Sequence, residues 1–139
     1  AIFRELKQFD LVDRDTETGE WLIADAYRKT DKGEERFRVG TVDAFQGKEF
    51  DIVLLSVVRS NRKSLPQGEA GDEAFEKAAN GKYGHLRLSN RMNVAMSRQR
   101  SLLIAVGDRA MAEGIGATNA VPALNAFLQL CQGAHGHVC

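Results

Sequence analysis

The sequence predicts an α/β fold in which a largely parallel sheet is flanked by helices. Residues 52–58 and residues 102–106 are two runs that are apolar almost throughout, as is typical of strands buried on both faces of a parallel sheet. Between them, residues 90–98 have the composition of a helix. Two strands joined through a helix form a strand–helix–strand unit, which predicts parallel strands.

The elements before this unit follow from local patterns. An amphipathic pattern predicts a first helix over residues 2–9. Two β-prone runs, residues 11–12 and 21–23, flank a turn-rich stretch and predict a hairpin. Residues 27–35 are polar and are expected to form a loop, whereas the alternation of residues 37–42 predicts a strand.

The rest of the chain contains a long connection and two further helices. Residues 59–88 are a polar, glycine-containing crossover with one short helix expected at residues 72–79. Ser89 is expected to cap the helix that follows it. A last helix is expected at residues 121–130, with Pro122 in its first turn.

Composition narrows the class of protein. The 139 residues suffice for one domain, and their formal net charge of zero argues against binding nucleic acid by bulk positive charge alone. No apolar run reaches the roughly 18 residues that span a membrane. Because Cys131 and Cys139 are too few for a disulfide scaffold, we expect an intracellular, cytoplasmic protein with reduced thiols.

The last residues show no apolar period, and residues 133–139 are predicted to form a disordered tail. His135 and His137 lie near the two cysteines, but their spacing matches no zinc pattern. No metal site is therefore predicted.

The first segment that carries candidate functional side chains is Gly-Thr-Val-Asp-Ala-Phe-Gln-Gly-Lys-Glu-Phe-Asp at residues 40–51. If residues 37–42 form a strand, residues 43–49 lie at its carboxyl end, where doubly wound sheets bind ligands. Gly47 permits a tight turn, and the carboxylate of Glu49 can accept a hydrogen bond from a ribose hydroxyl. The ring of Phe45 suits either base stacking or core packing.

The second segment is Asn-Val-Ala-Met-Ser-Arg at residues 93–98. Arg98 ends the predicted helix just before the second buried strand. Its planar, permanently charged guanidinium is suited to stabilising a phosphoryl-transfer transition state. The alternative interpretation is that Arg98 and Arg100 only compensate the negative end of the helix dipole.

Three segments resemble nucleotide-binding motifs only superficially. Gly47-Lys48 and Gly81-Lys82 lack the upstream glycine and the following Ser or Thr of a P-loop. Asp72-Glu73 is acidic, but no apolar strand precedes it. The chain therefore has no predicted phosphate-binding loop and no metal site of its own.

The two segments resemble motifs V and VI of superfamily 1 helicases, in the branch similar to the nonsense-decay RNA helicase and its DNA-directed relatives. The likeness is specific over residues 39–60 and 88–108. It implies a RecA-like sheet of the P-loop NTPase type. It also implies that residues 1–139 are the C-terminal RecA-like lobe, a partial second motor lobe from a larger polypeptide.

The resemblance also implies roles for individual residues. The residues on the nucleic-acid side would be Thr41, Val42, Asp43 and Gln46, with Arg91 and Asn93 as further candidates. The residues on the nucleotide side would be Gly47, Lys48, Glu49 and Arg98. Arg98 would in addition be catalytic, as an arginine finger.

At the level of function, the resemblance implies an ATP-dependent helicase whose ATP and Mg²⁺ are bound mainly by an N-terminal lobe outside this chain. Single-stranded DNA or RNA and that lobe would be the partners, no membrane would be involved, and the isolated chain would be inactive. Three alternatives stay open: a translocase that does not unwind duplexes, a RecA-like lobe kept only for binding, and an unrelated α/β domain. The choice between DNA and RNA stays open as well.

Overall fold

The structure is a computed structural model that describes residues 2–134 and 136–139, and of Ile2 the backbone alone. It divides into two compact units, Ala1–Thr41 and Val42–Cys139. The predicted tail includes His135, which lies outside the described residues. No helix in the described part of the chain is long and apolar enough to cross a membrane.

The first unit contains the predicted helix and hairpin. Helix α1 spans Ile2–Lys7, and strands β1 (Val12–Arg14) and β2 (Trp21–Ile23) pair antiparallel. The ring of Phe3 stacks on that of Trp21, with 6.2 Å between centroids. The hairpin is thus confirmed, and an aromatic pair links the helix to its second strand.

The second half of the first unit differs from prediction. A short helix, α2 (Asp25–Arg28), and an isolated bridge between Lys29 and Glu35 replace part of the expected loop. The expected strand over residues 37–42 does not form, so this prediction is wrong. Alternation of apolar residues is not sufficient for a strand, because a strand also needs a partner edge for its backbone hydrogen bonds.

The second unit has the predicted α/β architecture. Its regular elements are β3 (Phe50–Val57), α3 (Glu73–Tyr83), α4 (Ser89–Ala95), β4 (Gln99–Gly107), α5 (Gly114–Ala120) and α6 (Pro122–Cys131). Strands β3 and β4 pair in parallel, with Leu54 opposite Ile104. The parallel sheet joined through a helix, and the helix that begins at Pro122, are confirmed.

The hydrophobic core of this unit lies among the helices. It is formed by side chains of α3 to α6 and of the turns between them, and its buried members are Phe75, Ala79, Tyr83, Met92, Met111, Ala112, Ala117, Ala120, Val121 and Leu124. Phe75 and Tyr83 are 2% and 1% exposed. The helical layer therefore supplies most of the burial that stabilises the unit.

The two parallel strands are not buried on both faces, contrary to prediction. Leu54 is 74% exposed and Val106 is 65% exposed, and Ile52, Leu102 and Ile104 are also exposed. Val53, which points to the opposite face, is 9% exposed. No described helix covers the face that carries Leu54, so apolar composition correctly predicted the strands but not their environment.

Helix boundaries also differ from the predictions. Leu88, not Ser89, occupies the N-cap of α4, and no side chain caps it. The helix ends at Ala95, so Arg98 lies beyond it on the turn that leads into β4. Helix α5 was not predicted, because its Gly114-Ile-Gly start has poor helix propensity and only tertiary packing stabilises it.

Candidate functional site

The two predicted motif segments meet at the amino ends of β3 and β4. Residues 43–49 lead directly into β3, and Arg98 leads directly into β4. Phe50 lies opposite Gln99 in the register, and the Phe50 amide donates a hydrogen bond of 2.9 Å to the Arg98 carbonyl. The expected position at the carboxyl end of a strand is therefore wrong, since the strand that was to precede these residues does not form.

The segment before β3 is a turn rather than a strand end. Val42–Phe45 form one 3₁₀ turn, and Gln46 and Gly47 continue it. Gly47 has φ +73°, in the left-handed region that disfavours other residues, so its predicted role as a turn residue is confirmed. Phe45 packs edge-to-face on Phe50 with 5.7 Å between centroids, which favours core packing over base stacking for this ring.

An ion pair joins the two segments. Arg91 Nη2 of α4 donates to Asp43 Oδ2 at 2.9 Å, and the two residues are 48 positions apart in the sequence. Both side chains keep access to solvent, with 40% and 62% exposed. An exposed pair of this kind contributes at most about 1 kcal/mol to stability. It does fix Arg91 beside the first segment.

A second set of charges lies around Arg100. Its guanidinium is 3.6 Å from the Glu49 carboxylate and 3.7 Å from that of Asp51. All three side chains are more than half exposed. Glu49 therefore has a cationic neighbour that sequence reasoning did not assign to it.

Arg98 is held by its neighbour in the chain. Its Nη2 donates to Ser97 Oγ at 2.7 Å, and Ser97 Oγ donates to the Asn93 carbonyl at 2.6 Å. Arg98 Nε is buried and has no hydrogen-bond partner among the described residues. An unpaired buried donor costs free energy, so this arginine is unusual among the described side chains.

Two residues of this site were missed. Ser97 is the hydrogen-bonding partner of Arg98, and its signal in the sequence was a hydroxyl immediately beside the candidate arginine. Gln99 donates from Nε2 to the Met96 carbonyl at 3.0 Å, while its Oε1 is buried without a described partner. Gln99 is the first residue of β4, and its signal in the sequence was a polar side chain directly after the candidate arginine.

The remaining predicted residues are less closely connected. Thr41 is the exposed last residue of the first unit. Gln46 and Asn93 are exposed, and Val42 is half-buried in the 3₁₀ turn. Lys48 donates its backbone amide to the Phe45 carbonyl at 3.0 Å. The structure thus groups Asp43 with Arg91, and brings the backbone of Arg98 to the start of β3.

The carboxyl end of the sheet is occupied by structural contacts. Arg59 donates to the carbonyls of Gly81 and Lys82, each at 2.7 Å, and so caps the last turn of α3. Gly84 has φ +53°, and a Cβ there would lie 3.1 Å from the Arg59 guanidinium. The open cleft beside these residues, about 530 Å³, is lined in part by Arg59, Asn61 and Lys63, which donate to the carbonyls of Gly81 and Lys82.

Ser60 and Asp108 link the carboxyl ends of β3 and β4. The Ser60 hydroxyl donates to Asp108 Oδ2 at 2.5 Å, and the Ala110 amide donates to Oδ1 at 3.0 Å. These two hydrogen bonds, the first most of all, hold the pKa of Asp108 below its ordinary value of 3.8. Because the folded-state pKa is depressed, the link stabilises the fold above pH 3.8 and is lost as pH falls below it.

Replacing Ser60 with alanine is expected to raise the pKa of Asp108 toward 3.8, since the larger of the two hydrogen bonds is removed. An NMR titration of the Asp108 side-chain carboxyl carbon measures this shift. Ser101→Ala, which removes an exposed serine of β4, is the control and is expected to leave the titration unchanged. An unchanged midpoint in Ser60→Ala would contradict the assignment.

The site is better suited to contact a phosphate group than to hold a metal ion. A guanidinium with an unpaired buried donor suits a phosphate oxygen. In contrast, no group of three or more acidic, histidine or cysteine side chains is placed to hold a metal ion in the part of the chain that the structure describes.

Comparison with known proteins supports this interpretation. Residues 18–110 match the family AAA_12, described as an AAA domain, and this range contains both motif segments. The chain is 39% identical over 87 residues to the DNA polymerase alpha-associated DNA helicase A of Saccharomyces cerevisiae. It is 39% identical over 71 residues to the "Probable RNA helicase armi" of Drosophila melanogaster, and 39% identical over 74 residues to the human NFX1-type zinc finger-containing protein 1.

These matches cover 63%, 51% and 53% of the chain. They cover only 10%, 5% and 3% of the three relatives, so the chain corresponds to a small part of each. No solved structure matches the chain.

Proposed function

Because this chain belongs to the AAA domain family, we propose that it is the C-terminal RecA-like lobe of a superfamily 1 helicase and completes the ATPase site of its parent polypeptide. In this proposal Arg98 is the arginine finger. The observation that carries it is the arginine's position where the two motif segments meet, with a buried Nε that no described group satisfies.

The chemistry of the guanidinium supports this role. In phosphoryl transfer, negative charge spreads over the γ-phosphate oxygens, and an arginine from outside the P-loop lobe can accelerate the reaction by about 10³- to 10⁵-fold. Only one of the N–H donors of Arg98 has a side-chain partner among the described residues, the Ser97 hydroxyl.

Gly47, Lys48 and Glu49 are proposed to form the nucleotide-facing side of the first segment. The left-handed turn at Gly47 exposes backbone that a larger residue would strain or cover. Glu49 can accept from a ribose hydroxyl, and the Arg100 guanidinium lies 3.6 Å from its carboxylate. ATP and Mg²⁺ would be bound chiefly by the N-terminal lobe of the same polypeptide.

The nucleic-acid side is proposed to comprise Thr41, Val42, Asp43, Gln46, Arg91 and Asn93. Arg91 is the cation among them and is the natural contact for a phosphate. Asp43, as an anion, would act by orienting Arg91 through their 2.9 Å ion pair rather than by touching a phosphate itself. Backbone contacts of this kind do not distinguish DNA from RNA, and both a DNA helicase and an RNA helicase are among the relatives.

Arg91→Ala is expected to weaken single-strand binding and to reduce the steepness of its salt dependence. Each phosphate contact contributes about 0.7 to the slope of log K against log salt for a single strand, so loss of one contact should lower the slope by about that amount. Fluorescence anisotropy of a labelled oligonucleotide on the whole polypeptide, across a salt series, measures it.

Arg109→Ala is the matched control, because Arg109 is a similarly exposed arginine beyond the opposite end of β4. It is expected to leave the slope unchanged. Equal slopes for Arg91→Ala and the native polypeptide would remove Arg91 from the nucleic-acid side.

ATP hydrolysis by the whole polypeptide, with and without single strands, tests the proposed function. Stimulated hydrolysis accompanied by strand displacement supports a helicase, whereas hydrolysis without displacement supports a translocase that does not unwind duplexes. Strand binding without any hydrolysis would instead indicate a lobe kept for binding.

A further inference from the structure

We propose that Ser97 is a positioning residue for Arg98, and that its hydroxyl holds the guanidinium in the orientation needed for catalysis. This inference rests on the proposed role of Arg98 and extends it to a side chain that makes no contact with substrate. It is carried by a continuous pair of hydrogen bonds, from Arg98 Nη2 to Ser97 Oγ and from Ser97 Oγ to the Asn93 carbonyl.

The direction of these hydrogen bonds is determined by chemistry. A carbonyl oxygen can only accept, so the single hydroxyl proton of Ser97 is donated to Asn93 over 2.6 Å. A guanidinium can only donate, so the lone pairs of the same hydroxyl accept from Arg98 over 2.7 Å. Ser97 thus connects a flexible cation to a rigid backbone group.

The Asn93 carbonyl belongs to the last turn of α4, where carbonyl groups have no partner within the helix. By donating to it, Ser97 satisfies an otherwise unpaired acceptor and ties the turn after the helix back to its end. These hydrogen bonds therefore fix the guanidinium relative to α4. This helix packs into the core through Met92 and Ala95.

The backbone around Arg98 is restrained from two further directions. The Arg98 carbonyl accepts from the Phe50 amide at 2.9 Å, which attaches it to β3. Gln99 donates to the Met96 carbonyl at 3.0 Å, which closes the same turn from the strand side. With the backbone fixed, the side-chain orientation is the remaining freedom, and the hydrogen bond to the Ser97 hydroxyl restricts the guanidinium end.

Restriction of this kind matters for a transition-state donor, because groups already in place need no reorganisation during the reaction. Nη2 donates to Ser97 and Nε is buried, so Nη1 is the donor left for an incoming anion. A long side chain that had to find this orientation in every turnover would act more slowly, although substrate binding would be little affected.

The test compares three substitutions of Ser97 in the whole polypeptide by steady-state ATPase kinetics. Ser97→Ala removes the acceptor and is expected to lower kcat by about ten-fold, with KM for ATP within about two-fold of native. Ser97→Cys keeps the side-chain size but is a weak acceptor, so it should behave like alanine. Ser97→Thr keeps the hydroxyl and is expected to retain native kcat.

Ser101→Ala serves as the matched control, because Ser101 is an exposed serine four positions further on in β4. It should leave both kinetic constants unchanged. Native kcat in both Ser97→Ala and Ser97→Cys would overturn the positioning role, as would a loss in Ser97→Thr equal to that in Ser97→Ala.

A double-mutant cycle separates this inference from the proposed function. If Ser97 acts through Arg98, adding Ser97→Ala to Arg98→Ala causes no further loss of kcat. A further ten-fold loss in the double variant would show that Ser97 acts independently and would overturn the inference. Full turnover in Arg98→Ala alone would instead refute the proposed role of Arg98.

Discussion

Arg98→Ala in the whole polypeptide is expected to lower single-strand-stimulated ATPase turnover by at least about 100-fold, which corresponds to about 3 kcal/mol of transition-state stabilisation. The reason is that alanine removes the charge and all the N–H donors that would face the developing negative charge. Single-strand affinity should change little, because the nucleic-acid side is assigned to other residues. Turnover rates under saturating ATP and oligonucleotide provide the measurement.

Two variants make this result specific. Arg98→Lys keeps the charge but loses the planar arrangement of donors, so turnover should remain well below native. Arg109→Ala removes an exposed arginine beyond the carboxyl end of β4 and should have native turnover. If the native polypeptide hydrolyses ATP and Arg98→Ala does so equally fast, Arg98 serves only to compensate the end of the preceding helix.

The largest effect on stability is expected from Phe75→Ala. Phe75 lies in α3 with 2% of its surface exposed, and it belongs to the core formed by the helices. Removing a buried phenyl ring loses its transfer free energy and leaves a cavity, which together cost about 3 to 5 kcal/mol. Urea unfolding of the 139-residue chain, followed by circular dichroism, measures the change in the free energy of unfolding.

Leu54→Ala is the informative comparison, because Leu54 is also a large apolar residue but is 74% exposed on β3. Its substitution should change the free energy of unfolding by no more than about 0.5 kcal/mol. A Leu54→Ala cost as large as that of Phe75→Ala would mean that the exposed face of the sheet is covered in solution.

Where local patterns determine structure, prediction from sequence was accurate. The apolar runs that became β3 and β4, the parallel pairing implied by the helix between them, and the helix starting at Pro122 were all confirmed. The hairpin of the first unit was confirmed for the same reason, since turn-forming residues and β-prone runs act over short distances.

Where an element depends on distant partners, prediction failed. Residues 37–42 alternate like a strand, but no described strand pairs with them. The start of α5 is glycine-rich and unfavourable for a helix, yet Ala117 and Ala120 are buried in the core and stabilise it. The free energy that decides both cases comes from contacts, which propensity does not contain.

Prediction of the site likewise succeeded for local features and failed for contacts between distant residues. Residue chemistry identified Arg98 and Glu49 as candidate residues, and the resemblance to helicase motifs added Asp43 and Arg91. The partners of these residues were not predictable, because the Asp43–Arg91 pair joins positions 48 residues apart and depends on where α4 packs. Ser97 was overlooked because a hydroxyl after a helix usually signals only a local backbone contact.

The sequence by itself determined the α/β class and the residue types available for phosphate and nucleic-acid contacts, because these depend on composition and short-range spacing, and its two motif segments indicated the family by resemblance. Tertiary structure alone decided that the two motif segments meet at the amino ends of the strands, that one face of the sheet is exposed, and that Arg91 pairs with Asp43. The physical reason is that strand register and helix packing bring together groups far apart in the chain. Hydrogen-bond geometry then selects which of those groups become partners.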